Sequence, residues 1–117
     1  MNFLFVALGG ALGAVARYAL SLVTVKINFP LMTFLTNLLG AFFIGLIAGL
    51  ASKKNVSGNL VLFLKTGFCG GFTTFSTFSL EAYNLFQSGF YGTAVLYAVL
   101  SLVLCIAGVA LGIFVSR

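Results

Sequence analysis

Residues 67–79 read GFCGGFTTFSTFS, and the fold turns on what this run does inside an otherwise apolar segment. Gly67, Gly70 and Gly71 lead into an alternation of Phe with Thr and Ser that no charge interrupts. Glycine is a poor helix residue, and Ser and Thr compete for backbone hydrogen bonds. A helix carrying this run is expected to break near Gly70–Thr74. Backbone freed at membrane depth survives only where protein or enclosed water satisfies it. Freed carbonyls in interrupted membrane helices hold cations. Beyond the break, Phe75 and Phe78 stand three residues apart and share a helix face.

The rest of the chain fixes the solvent. Of 117 residues, 62% are hydrophobic, six are Lys or Arg, one is acidic (Glu81), and neither His nor Trp occurs. Mean hydropathy is +1.22. Such a chain cannot cover a globule with polar surface, so the bilayer is its solvent. A spanning helix needs ~20 mostly apolar residues. Four runs qualify, at about 3–25, 31–51, 60–86 and 90–116, joined by KINFP, SKKNVSGN and a turn at QSGF. The first run lacks a basic leader and outlasts a cleavable signal core, so it is expected to be a retained span. The expected fold is an all-α membrane protein of four transmembrane helices, a single domain over residues 1–117.

Four GxxxG pairs, Gly9–Gly13, Gly45–Gly49, Gly67–Gly71 and Gly108–Gly112, point to close helix packing. With four spans, both termini share a side with the middle connector. That side carries Lys53, Lys54, Arg117 and a snorkelling Lys65; the other carries Lys26 and Arg17. The imbalance is too small to set one orientation.

Polar groups inside a membrane are the functional candidates, since each costs free energy there. Arg17 sits toward the far end of span one, where it either snorkels or offers anions a fixed positive charge at the mouth of a cavity. Asn37 lies mid-span, with Thr33 one turn before and Gly40 one turn after on the same face. Thr93, Tyr97, Ser101 and Cys105 recur every fourth residue in span four, a stripe that either lines a path or glues helices. Cys69 and Cys105 lie in apolar runs without a CxxC partner or a His, and read as small buried hydrophobes. Glu81 has no role that the sequence assigns.

Taken together, GGALGAVARY, TFLTNLLG and GFCGGFTTFSTFSLE, in that order, resemble the Fluc (CrcB) fluoride channel family along essentially the whole chain. The resemblance implies antiparallel, dual-topology homodimers in the cell inner membrane, with two narrow pores exporting fluoride down its gradient to relieve toxicity. It implies a pathway of Asn37, Phe75 and Phe78, with Thr33, Tyr97 and Ser101 alongside, and Arg17 as the first-helix vestibule arginine. It also implies a structural Na⁺ on the dimer axis, held by the backbone carbonyls of Gly70 and Thr73. The expected partners are fluoride, the lipid bilayer and an inverted second copy, with no nucleic acid. Cys105 stands where the family's track suggests Ser.

Elementary energetics are compatible with such a path. Drying a carboxylate-sized ion costs of order 20 kcal/mol, and a smaller ion costs more. A hydrogen bond to a charged group returns only ~1.5–3 kcal/mol, so several weak donors in series are required. Phenyl rims carry partial positive charge and add weak contacts without trapping the anion. A small multidrug-type cation exporter has the same span count, but it needs a carboxylate in its first helix, and this chain has none there. Without His or a nucleophile–base pair, no enzyme is expected.

Overall fold

A computed structural model describes residues 2–53 and 56–117. The chain runs through α1 (Asn2–Ser21), α2 (Leu31–Lys53), α3 (Gly58–Val61), a π-helical segment (Leu62–Cys69), α4 (Gly70–Phe72), α5 (Phe75–Gln87) and α6 (Tyr91–Val115). Among the described residues there is no strand. α1, α2 and α6 are long and apolar enough to cross a bilayer. The third membrane-length stretch is built from α3, the π-helical segment, α4 and α5 in succession. The bundle is 50 Å long and 28 × 19 Å across, a length that matches a bilayer of ~40–45 Å including headgroups.

The first helix stops earlier than its apolar run. Ser21 Oγ donates to Tyr18 O, and the N–H groups of Leu22 and Val23 make tighter i−3 bonds to Ala19 and Leu20. The β-branched Val23, Thr24 and Val25 then favour extended backbone, so residues 22–30 form one loop where only KINFP was expected. Pro30 closes it, its carbonyl accepting from Phe34 N–H as α2 begins. The turn at QSGF is a Schellman motif, with Phe90 N–H on Leu85 O, Gly89 N–H on Phe86 O, and Gly89 at φ 85°. Lys54 and Asn55, part of the expected middle connector and of the charge count, lie outside the described residues.

Lipid offers no hydrophobic drive between helices, so they must associate through close van der Waals fit. Glycines provide it as two matched pairs of elements. α1 lies along the π-helical segment and α4, while α2 lies along α6. A Cβ on Gly9 would strike Phe63 O, one on Gly13 would strike Phe68 O and stand 2.8 Å from Phe72 N, and one on Gly71 would strike Gly10 O. Across the other pair, Gly45 faces Val109 O and Gly112 faces Phe42 O with the same lack of room. Backbone thus lies against backbone at both seams. Gly70 and Gly92, by contrast, have nothing among the described residues within 4 Å of an added Cβ.

Gly13→Val is expected to destabilise the protein by about 1–3 kcal/mol or more through overpacking, and Gly92→Ala to be neutral or slightly stabilising. Thermal unfolding in detergent, followed by circular dichroism, checks the contrast; equal melting points would show that the α1 seam is not close-packed.

Candidate functional site

At the end of the glycine run the backbone leaves the helix. Gly70 is itself helical (φ −63°, ψ −38°). The extended residues are Thr73 (φ −87°, ψ 154°) and Thr74 (φ −146°, ψ 122°). Gly70 and Gly71 therefore do not unwind the chain themselves; Gly71 instead serves the seam with α1. What holds the extended pair is Asn37. Its Nδ2 donates to Thr74 O at 3.0 Å, and its Oδ1 accepts from Thr74 N–H at 2.8 Å. One amide thereby satisfies both backbone groups of one residue, the accounting a buried strand-like residue requires.

Two further bonds complete the junction. Thr74 Oγ1 accepts from Thr77 N–H at 3.1 Å, making Thr74 the N-cap of α5. Arg17 Nε donates to Gly71 O at 3.2 Å, placing a cation at the end of α4. The diverted donors have a consequence. In a continuous helix Thr74 N–H would bond Gly70 O and Thr77 N–H would bond Thr73 O. Both are occupied elsewhere, so the carbonyls of Gly70 and Thr73 lose their i+4 donors together.

α5 then carries its phenylalanines along a groove of about 420 Å³. Asn37, Gly70, Thr73, Thr74, Phe75, Phe78, Ser101 and Cys105 all line it, and among the described residues no charged side chain does. Phe75 is 79% exposed, its ring 5.6 Å from that of Phe78. Ser101 is only 8% exposed, and its Oγ is a buried oxygen without a hydrogen-bond partner among the described residues. A buried, unpartnered hydroxyl in a membrane protein is costly.

Thr33, Tyr97 and Arg17 stand apart from this groove. Tyr97, 0% exposed, donates to Glu81 Oε1 at 3.1 Å, and Thr33 Oγ1 donates to Glu81 Oε2 at 3.1 Å. The four-residue stripe of α6 accordingly divides: Ser101 and Cys105 face the groove, while Tyr97 serves the carboxylate. Glu81 and Thr33 line a second recess of about 440 Å³ walled by the 22–30 loop. Arg17 lines a small cavity of about 40 Å³ with Ser21, Thr33, Thr36, Thr74 and Thr77. Tyr97 joins the two regions through its ring, 4.9 Å from Phe78 and 5.3 Å from Phe29.

Sequence reasoning missed Glu81 as a member of this assembly. The signal was present: Glu81 follows Phe78 by three residues and so shares the α5 face that meets Tyr97. A lone acid in a membrane segment must also find donors. The bond from Arg17 to Gly71 had no local signal, since 54 residues separate the partners.

Residues 4–113 match the family described as CrcB-like protein, Camphor Resistance (CrcB). A protein named fluoride-specific ion channel FluC from Azobacteroides pseudotrichonymphae is 48% identical over 116 residues, covering 96% of this chain and 93% of that relative. One of the same name from Desulfotalea psychrophila is 49% identical over 119 residues, covering 100% and 93%. A third, from Agrobacterium fabrum, is 43% identical over 121 residues, covering 100% and 97%.

Asn37→Ala leaves Thr74 N–H and C=O without partners and is expected to destabilise the fold by about 1–3 kcal/mol for each group. Tyr97→Phe keeps the ring contacts but removes a hydrogen bond to a carboxylate, an expected loss of about 1.5–3 kcal/mol. Both are read by thermal unfolding in detergent. Unchanged melting of Asn37→Ala would mean that its amide does not hold the extended residues.

Proposed function

Because this chain belongs to the CrcB-like family, we propose that it is a fluoride-specific ion channel, which lets fluoride leave the cell down its electrochemical gradient and so relieves fluoride toxicity. One observation carries the reading: a groove whose polar lining, among the described residues, is entirely uncharged, with the Ser101 hydroxyl unpartnered among them and phenyl rings presented along its wall.

The groove's donors are individually weak. Asn37 Nδ2 has two hydrogens, and Thr74 O takes one, leaving the other for an anion. Ser101 Oγ–H is free of any partner among the described residues. Phe75 and Phe78 offer ring edges, whose partial positive charge attracts an anion without binding it tightly. Contacts of this strength, taken in series, let a dehydrated ion enter and leave. Thr33 and Tyr97 take part through Glu81, at the recess beside the loop. Arg17 supplies the fixed positive charge that favours anions near the junction.

The third membrane-spanning helix is interrupted at Thr73–Thr74, and two copies pair in inverted orientation, each interruption against the other, with two pores per dimer. Open space around Gly70 and the exposed Phe75 ring support a second chain at this face. The Gly70 and Thr73 carbonyls, deprived of their i+4 donors, suit a hard cation with oxygen ligands. A sodium ion held there supplies fixed positive charge between the copies. The assembly resides in the cell inner membrane as a multi-pass homodimer. A cation exporter is disfavoured, because α1 carries no carboxylate and Glu81 is engaged by two hydroxyls.

Phe75→Ile and Phe78→Ile are each expected to abolish fluoride efflux from proteoliposomes, read with a fluoride electrode, while the protein still elutes as an assembled species. Asn37→Asp is expected to slow efflux by placing negative charge in the path. Normal efflux in all three variants would overturn the assigned pathway. Vesicles of the unmodified protein that hold fluoride would overturn the function.

A further inference from the structure

The one acidic side chain of the sequence stands in the recess beside the 22–30 loop without a cation to match it. Glu81 is half-buried, and each of its oxygens accepts from a neutral hydroxyl, Tyr97 on Oε1 and Thr33 on Oε2, both at 3.1 Å. Hydroxyls orient a carboxylate but leave its charge in place, and a charge drawn out of bulk water calls for an opposite one. Among the described residues no Lys or Arg lines this recess. Arg17 lines the small neighbouring cavity, where its Nε donates to Gly71 O. A carboxylate has about four lone-pair sites, and the two hydroxyls take one on each oxygen, so one remains on each.

The walls narrow the class of ligand. Asn84 and Ser88 follow Glu81 at helical spacing, and both line the recess with it. The loop and the start of α6 contribute two phenyl rings, Phe29 and Phe90. Phe29 is set in place by edge contacts, its centroid 5.6 Å from that of Phe34 and 5.3 Å from that of Tyr97. We propose that this recess, about 440 Å³ in volume, binds a small planar organic cation of the guanidinium class, with its N–H groups on the Glu81 carboxylate and its face against a phenyl ring. Guanidinium is weakly hydrated, so it gives up little on leaving water, and its fork of N–H groups meets both oxygens of one carboxylate. Its flat face stacks on aromatic rings. Asn84 and Ser88 supply neutral oxygens for the N–H groups that remain. Hard divalent ions ask for more charged oxygen than one carboxylate supplies, and among the described residues no three acidic, His or Cys side chains gather.

Binding here is a property of the recess and does not depend on whether the groove conducts fluoride. Because the chain has one acidic side chain, carbon NMR of the ¹³C-labelled protein in detergent reads Glu81 alone among side-chain carboxylates. Guanidinium chloride is titrated at millimolar concentrations against sodium chloride at equal ionic strength, with urea as the uncharged body of the same shape. The Glu81 carboxyl signal is expected to shift saturably with guanidinium and not with urea. Sodium is expected to need a concentration about tenfold higher or more, the difference made by one additional cation–π or charge-assisted contact. Phe90→Leu lies outside the fluoride pathway and is expected to raise the guanidinium midpoint about two- to fivefold while leaving that of sodium unchanged. Should Phe90→Leu fail to fold, Asn84→Leu removes an acceptor from the same wall and is expected to act in the same direction. A shift that never saturates, saturation by urea, or equal midpoints for guanidinium and sodium would overturn the site. An unchanged guanidinium midpoint in the folded variant would overturn the part given to the recess wall. Vesicles that hold fluoride would refute the channel reading and leave the titration standing.

Discussion

The structure depends on one side-chain amide. In the bilayer no water is at hand to satisfy an extended residue, and an unmatched N–H or C=O there costs several kcal/mol. Asn37 meets both groups of Thr74 at once, at 2.8 and 3.0 Å. Its neighbours extend the effect. Thr74 caps α5, Arg17 takes the carbonyl of Gly71, and the carbonyls of Gly70 and Thr73 are freed of their helical donors. An amide also suits this position electrically. It offers a donor and an acceptor without net charge, so it can brace the backbone beside an anion path and neither repel nor trap the ion.

The glycine seams make that arrangement affordable in lipid. α1 against the π-helical segment and α4, and α2 against α6, approach until backbone meets backbone. The first pair carries the extended residues and the second carries Asn37 and Ser101, so the groove lies between two units that are each tightly closed. Packing consumes the small residues at the seams, and the large apolar ones, among them Leu8, Leu12, Val99 and Val103, remain on the outer surface where lipid is expected. Function then resides in the few polar atoms that neither packing nor backbone satisfaction uses.

Much of this was legible in the sequence because composition and periodicity act locally. The all-helical class, three of the spans, the face shared by Phe75 and Phe78, and the value of the GxxxG pairs follow from composition and spacing along one helix; that Asn37 and Ser101 stand with those rings was implied only by the family resemblance. What was not legible depends on pairs of distant residues. The glycines at 70 and 71 looked like the breakers, yet both are helical: Gly71 is packed against Gly10 of α1, and it is Asn37, far away in sequence, that draws Thr74 out. Tyr97 looked like one step of a continuous stripe, but Glu81 on α5 claims its hydroxyl. The first span ends at Ser21, short of its apolar run, where the β-branched Val23, Thr24 and Val25 have a lower helix propensity.

Asn37 holds Thr74 in extended backbone, and the rest of the site is built on that hold. Magic-angle-spinning NMR of the isotope-labelled protein in lipid bilayers tests it directly, by asking whether the Asn37 side-chain nitrogen lies within hydrogen-bonding distance of the Thr74 carbonyl carbon. A through-space cross-peak between the two, with non-helical chemical shifts at Thr73 and Thr74, is the expected result. Helical shifts running unbroken from Gly70 to Ser79, with no such cross-peak, would contradict the account.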